Sequence, residues 1–126
     1  MDKKVFNSDK APAPIGPYSQ AVAANGMLYI SGQIPIVPAN GTLVEGNIQA
    51  ETKQVMENLG AILNEAGLNF DHVIKTSIFI TSMNGFALIN EVYGSYFGEN
   101  PPARETVQVS ALPKFVNVEI SCIAAL

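Results

Sequence analysis

Two charged side chains stand where the surrounding pattern calls for something blander: Arg104, directly behind Pro101-Pro102-Ala103, and Glu119, inside the apolar run from Val116 to Ile123. Arg104 opens a strand after a stiff Pro-Pro segment, so its guanidinium is presented with little backbone freedom. That suits bidentate capture of a planar carboxylate, for which the rigid fork of arginine is shaped. The bland alternative is an ion pair with Glu105, Glu119 or a neighbouring subunit. Glu119 alternates with Val118 and Ile120, so it faces the opposite side of its strand, either towards solvent or into a cleft. In a cleft, a carboxylate partly withdrawn from water can orient or deprotonate a water molecule. Spacing leaves both readings of each residue open.

Lesser candidates accompany them. Ser31-Gly32 closes a strand and can let a ligand approach bare backbone, although glycines there more often serve a bulge or bend. Tyr18 follows a Pro-rich loop and offers an aromatic wall with a hydroxyl, and Asn90 sits mid-helix among apolar neighbours; packing and structural hydrogen bonding are their ordinary roles. His72 and Cys122 are the only residues of their types. Metal sites built on histidine clusters are therefore excluded, as is a catalytic triad. His72 reads as a surface residue before a strand, and Cys122 as a small core residue. The chain has no Walker loop and no dinucleotide glycine fingerprint, so neither a metal nor a cofactor is expected.

The elements that must hold these residues follow from periodicity. Ala-Pro-Ala-Pro-Ile-Gly-Pro at 11–17 is too rich in proline for helix or interior strand and reads as a fixed loop. Two β-like runs, 19–24 and 27–32, flank Asn25-Gly26, a strong hairpin signal. Pro35 and Pro38 end the second run, and Thr42-Leu43-Val44 suggests a short third strand. Apolar residues at Ile48, Val55, Leu59, Ile62, Leu63 and Ala66 recur at helical spacing, with Gly67 as the stop. Val73–Ile80 is a β-branched strand. Phe86, Ile89, Val92/Tyr93 and Tyr96/Phe97 predict a second helix ending at Gly98, and strands follow at 106–109 and 116–123. The order ββ(β)αβαββ predicts an α+β layer, with two helices on one face of a mixed sheet and the other face uncovered.

At 126 residues the chain is expected to form one domain spanning 1–126. Hydrophobic residues make up 48% and charged residues 14%, a thin polar coat that predicts a homo-oligomer with strands of neighbouring subunits covering the bare sheet face and clefts between them. A net charge of -4 and no basic run longer than Lys3-Lys4 give no footprint for nucleic acid or an anionic membrane surface. No apolar stretch approaches the ~18 residues that cross a bilayer. A lone cysteine and an N-terminus without an apolar signal segment point to a cytoplasmic location.

Taken together, Ala-Pro-Ile-Gly-Pro-Tyr-Ser-Gln-Ala at 13–21, Ser-Gly-Gln-Ile-Pro at 31–35, Asn-Glu-Val-Tyr at 90–93, Pro-Pro-Ala-Arg at 101–104 and Leu-Pro-Lys…Val-Glu-Ile at 112–120 closely resemble the RidA (YjgF-like) family of reactive-intermediate deaminases. The likeness runs along essentially the whole chain in order and spacing. It implies a chorismate-mutase-like fold and a homotrimer with active sites in the clefts between subunits. It also implies cofactor-independent hydrolysis of small 2-imino acids, 2-iminopropanoate and 2-iminobutanoate, to 2-keto acids. Matched to the family, Arg104 takes the place of its carboxylate-binding arginine, Glu119 of its water-positioning glutamate and Tyr18 of its tyrosine, while Ser31, Gly32 and Asn90 match cleft-lining positions. One departure stands out: the family often has Cys where this chain has Thr106, preceded here by Glu105. The role usually given to that position uses its backbone carbonyl, which Thr106 supplies equally. A non-catalytic trimeric module that binds keto acids is the competing reading. A ribonuclease or translation inhibitor, a role attached to some relatives, sits poorly with the net charge of -4 and the single histidine.

Overall fold

In the computed structural model, which describes residues 1–126, two helices lie on one sheet. The strands are β1 (Lys4–Phe6), β2 (Ala21–Ala24), β3 (Met27–Gln33), β4 (Val73–Ile80), β5 (Ala103–Gln108) and β6 (Val118–Ala125), and the helices are α1 (Ile48–Glu65) and α2 (Phe86–Gly94). Spatial order is β1-β2-β3-β6-β4-β5, antiparallel except where β5 runs parallel to β4. A parallel pair cannot be closed by a tight turn, and α2 lies in the crossover that joins them.

Local chemistry accounts for the boundaries. Asn25 and Gly26 take φ values of 52° and 77°, the left-handed pair that a two-residue hairpin between twisted strands requires. Asn47 caps α1 by accepting from the Ala50 amide at 3.0 Å, and the chain leaves the helix through Gly67 at φ 76°. The α1 stripe of Val55, Met56, Leu59, Ile62 and Leu63 packs on the alternate residues Leu28, Ile30, Ile78, Ile80, Val118 and Ile120, forming one core. The other sheet face carries no layer, leaving Tyr29 48% and Val107 43% exposed.

Five features differ from the sequence expectation. An additional strand, β1, pairs with the β2 edge; its short length and Lys4 hid it, since an edge strand tolerates charge. Thr42-Leu43-Val44 contributes only an isolated bridge between Ile36 and Leu43. The second helix ends at Gly94, not Gly98, because the next turn tightens to three-residue closure, with Tyr96 N donating to Tyr93 O and Phe97 N to Gly94 O, both at 3.2 Å. That turn packs Tyr96 and Phe97 against Phe70. Strand β5 begins earlier, at Ala103, and β6 later, at Val118.

Asn58, 1% exposed, ties α1 to the segment after β3 by donating to the Ile34 and Ile36 carbonyls at 3.2 and 3.0 Å. Asn58→Leu strands both carbonyls and is expected to cost about 1–3 kcal/mol, measured as a lower urea midpoint at an unchanged slope.

Candidate functional site

A cleft of about 310 Å³ opens at one end of the bare sheet face, with Tyr18, Ser31, Gly32 and Glu119 as its functional lining and Ile15, Ile34 and Pro113 as its apolar walls. Its geometry starts from Gln20. This residue is 3% exposed and acts as an internal clamp: its Oε1 accepts from the Ser8 amide at 2.6 Å, and its Nε2 donates to the Ser8 and Pro12 carbonyls at 3.1 and 2.9 Å. The Pro-rich loop is thereby stapled to β2, and Tyr18 at its end stands 46% exposed over the cleft. The Ile15 amide donates to the Tyr18 hydroxyl oxygen at 3.4 Å. Ser31 donates its hydroxyl proton to the Ser19 carbonyl at 2.6 Å, so the oxygen it offers the cleft is an acceptor.

Glu119 alternates with the buried residues Val118 and Ile120 and pairs with Phe79 of β4. Its carboxylate therefore lies on the face away from the helices. Burial raises its pKa above the ordinary glutamate range. No cation offsets that burial, because the one ion pair in the chain joins Lys75 to Glu105. A half-buried carboxylate without a counter-charge is inclined to take a proton from a bound water.

Arg104 belongs to a different neighbourhood. On β5 it pairs with Thr76, and its side chain lies on the helix side: Nη1 donates to Asn90 Oδ1 at 2.7 Å, and its Cζ stands 5.2 Å from the centre of the Tyr93 ring and 5.6 Å from that of Phe86. Phe86, Asn90 and Tyr93 recur at i, i+4 and i+7, so α2 lays one stripe along the guanidinium. Beneath them the Thr76 and Tyr93 hydroxyls are 2.7 Å apart. Burial raises the Tyr93 phenol, and the Thr76 hydrogen bond and the Arg104 charge oppose that shift. Thr106, two residues along the same row of β5, keeps a buried hydroxyl oxygen without a hydrogen-bond partner.

The structure thus brings the named residues together as two groups, the candidate half-sites. Tyr18, Ser31, Gly32 and Glu119 share the cleft; Arg104, Asn90 and Thr106 share the β5–α2 side. Within one chain the two groups lie on opposite faces of the sheet, and Asn90 contacts Arg104 instead of lining the cleft. Arg104 pairs with neither Glu105 nor Glu119. Glu105 points to the bare face, where Ser77 and Lys75 hold it; the Ser77 hydrogen bond, then Lys75, lower its pKa. The charge of Glu105 therefore leaves the guanidinium free. His72 serves its own turn, its Nδ1 accepting from the Asn69 amide at 3.1 Å. Cys122 is a core residue whose burial pushes its thiol up to about 12. No three His, Cys, Asp or Glu side chains converge in a metal-ligating group, and no helix is long and apolar enough to cross a membrane.

Sequence reasoning missed Phe86, Tyr93 and Gln20 as supports of the site. The first two have the spacing of a core stripe, and only the position of Arg104 separates a bracket from a core. Gln20 carries no signal beyond being polar in an apolar strand.

Comparison with known proteins places this arrangement. The family described as Endoribonuclease L-PSP matches residues 8–126. A human 2-iminobutanoate/2-iminopropanoate deaminase is 46% identical over 97% of this chain and 89% of its own length. A RutC family protein of Pyrococcus horikoshii is 52% identical over 97% of each chain. Among solved structures, RidA from an Antarctic Psychrobacter superposes with a TM-score of 0.94 at 42% identity, covering 98% of this chain and 99% of that one. Escherichia coli TdcF with bound serine superposes with a TM-score of 0.93 at 41% identity over 98% of each. Since the match in sequence and in fold runs through both half-sites and nearly every residue between them, the chain belongs to the RidA (YjgF-like) family, the Endoribonuclease L-PSP group.

Proposed function

We propose that the protein is a deaminase that hydrolyses small 2-imino and enamine acids, 2-iminopropanoate, 2-iminobutanoate and 2-aminoacrylate, to 2-keto acids and ammonia. It would work as a single RidA-like domain assembled into a chorismate-mutase-like homotrimer, whose cytoplasmic site lies between subunits. The observation that carries the reading is Glu119: binding an anion needs only an arginine, whereas hydrolysis also needs a group to manage water. A half-buried carboxylate without a counter-charge, standing in a cleft with Tyr18 and Ser31, meets that need. The printed names of relatives, the human deaminase among them, support the same chemistry.

The placement of the two half-sites supports the assembly. Arg104 of one copy can meet the Glu119 cleft of another only if a second chain covers the bare sheet face, and the exposed Tyr29 and Val107 on that face favour such cover. In the joined site Arg104, held by Asn90, takes the substrate carboxylate, while the Thr106 backbone carbonyl faces the substrate nitrogen. Water adds to C2 of the protonated imine as Glu119 takes one of its protons, giving a carbinolamine. Glu119 returns that proton to nitrogen, then accepts the hydroxyl proton as the C–N bond breaks and the carbonyl forms, so that ammonia and the keto acid leave and the proton passes from Glu119 to ammonia or water. Imines already hydrolyse in water, so holding the substrate and aiming the water suffice, without a cofactor.

The test is the rate of pyruvate or 2-ketobutyrate release when the purified protein is added to a serine/threonine dehydratase reaction, with semicarbazide competing for the imine. Faster release of keto acid is expected. An unchanged rate, with keto acid still bound by the protein, would favour the non-catalytic ligand-binding module instead.

A further inference from the structure

Strand β3 contains a glycine that its backbone does not require. Gly32 is absent from the positive-φ positions, so an L-residue fits its main chain. It does lie where the β3–β6 register shifts, between Ile30 and Gln33, and glycines often mark such irregularities. What sets Gly32 apart is what lies above it. A Cβ built there would fall on Oε2 of Glu119 and come within 2.8 Å of its Cδ and 3.0 Å of its Cγ. No other glycine in the chain would set a Cβ against a charged side chain.

We infer that Gly32 is a positioning residue for Glu119: its missing side chain is the seat in which the carboxylate rests against the β3 backbone, and the seat fixes where a water is held in the cleft. The inference rests on the hydrolase reading above and adds a residue to its machinery. Glutamate has three rotatable bonds, and no ion pair holds this one, so shape sets its orientation. From sequence Gly32 could be bare backbone open to a ligand or a bulge residue; its Cβ direction is taken by Glu119, while its backbone still lines the cleft. A methyl group there must move the carboxylate by on the order of 1 Å, a displacement that costs about 10²-fold when it falls on a reacting group. The displaced carboxylate moves outwards, into water.

The experiment compares wild type, Gly32→Ala, Glu119→Asp and the double variant Gly32→Ala/Glu119→Asp. For 2-iminopropanoate, Gly32→Ala is expected to lower kcat by roughly 10- to 100-fold with KM little changed. The urea midpoint at neutral pH should not fall, because φ is ordinary at this position and moving the Glu119 charge into water relieves its burial. Aspartate is shorter by one methylene and no longer reaches the seat, so Gly32→Ala should cost much less kcat in the Glu119→Asp background than in wild type. A second readout needs no activity: a carbon-13 titration of the Glu119 carboxyl. Its pKa is raised in wild type and should fall towards the ordinary range in Gly32→Ala, as the group gains water. In the cleft the other titratable group of the same chain is Tyr18, Arg104 of a second copy would face it in the joined site, and further along the same face lies the Lys75–Glu105 pair; the substitution alters none of them. An unmoved titration with wild-type kcat would overturn the inference, as would a Gly32→Ala penalty equally large in the Glu119→Asp background. If wild type itself fails to hydrolyse imino acids, the proposed reaction falls, and the titration alone decides the seat.

Discussion

Arg104→Ala is expected to lower kcat/KM for 2-iminobutanoate by about 10²- to 10³-fold, since a charge-assisted hydrogen bond is worth ~1.5–3 kcal/mol and the arginine fork makes two. The substrate offers few other handles: a ligand this small gains at most ~1.5 kcal/mol per atom, so its carboxylate carries a large share of the binding. The fold should tolerate the change, because Arg104 is exposed and its contacts are confined to Asn90 and the rings of Phe86 and Tyr93. Arg104→Lys keeps the charge but loses the planar fork and is expected to be partly active. Steady-state kinetics with matched urea midpoints decides the matter, and full activity in both variants would remove Arg104 from the site. Mixing then asks where the site lies. Arg104→Ala and Glu119→Gln, each inactive alone, should regain activity when unfolded and refolded together if one pocket draws on two chains; a site within one chain would gain nothing.

Glu119→Gln is expected to lower kcat by about 10²- to 10⁴-fold while leaving KM nearly unchanged, because a positioned acid/base group acts in the transition state and not in substrate binding. The same substitution should make the protein more stable at neutral pH. Burial raises the folded-state pKa of Glu119 above its unfolded value. Its contribution to stability is therefore fully present below the unfolded pKa and is lost as pH rises through the folded one. At neutrality wild type bears the cost of a half-buried charge that glutamine does not carry. Urea midpoints from the ordinary carboxylate range up to neutrality should decline for wild type relative to Glu119→Gln. The acid limb of wild-type kcat should correspondingly sit above the ordinary glutamate range. A variant that keeps its kcat would leave Glu119 as a cleft wall and favour the binding-only reading.

Much of the fold could be read from the residues because local signals agree with one another. Asn25-Gly26 forms the turn its type requires, and Gly67 ends α1 at a positive φ. The α1 stripe falls on the core as its spacing predicts. The N-terminal strand could not be read, because an edge strand with one side open to water need not be apolar, and the end of α2 is decided by the packing of Tyr96 and Phe97 on Phe70, a distant residue. At the candidate site, residue types drew attention to Arg104 and Glu119, while their separation did not show in spacing. Only the pairing register, with Arg104 opposite the buried Thr76 and Glu119 opposite Phe79, puts the two on opposite faces. Gly32 stood out as bare backbone that a ligand could approach or as a bulge residue, and the side chain that lies against it comes from β6, far along the chain.

Putting Arg104 and Glu119 on opposite faces of one sheet also has a consequence for heredity. Every chain would carry the right half of one pocket and the left half of the next, so a single gene writes both sides of a surface that no single product possesses. A substitution on the bare face is then judged twice, once for how well the copies fit and once for where it sets the carboxylate against the guanidinium. Drift in contacts that lie far from any substrate would be held in check as tightly as drift in the pocket itself.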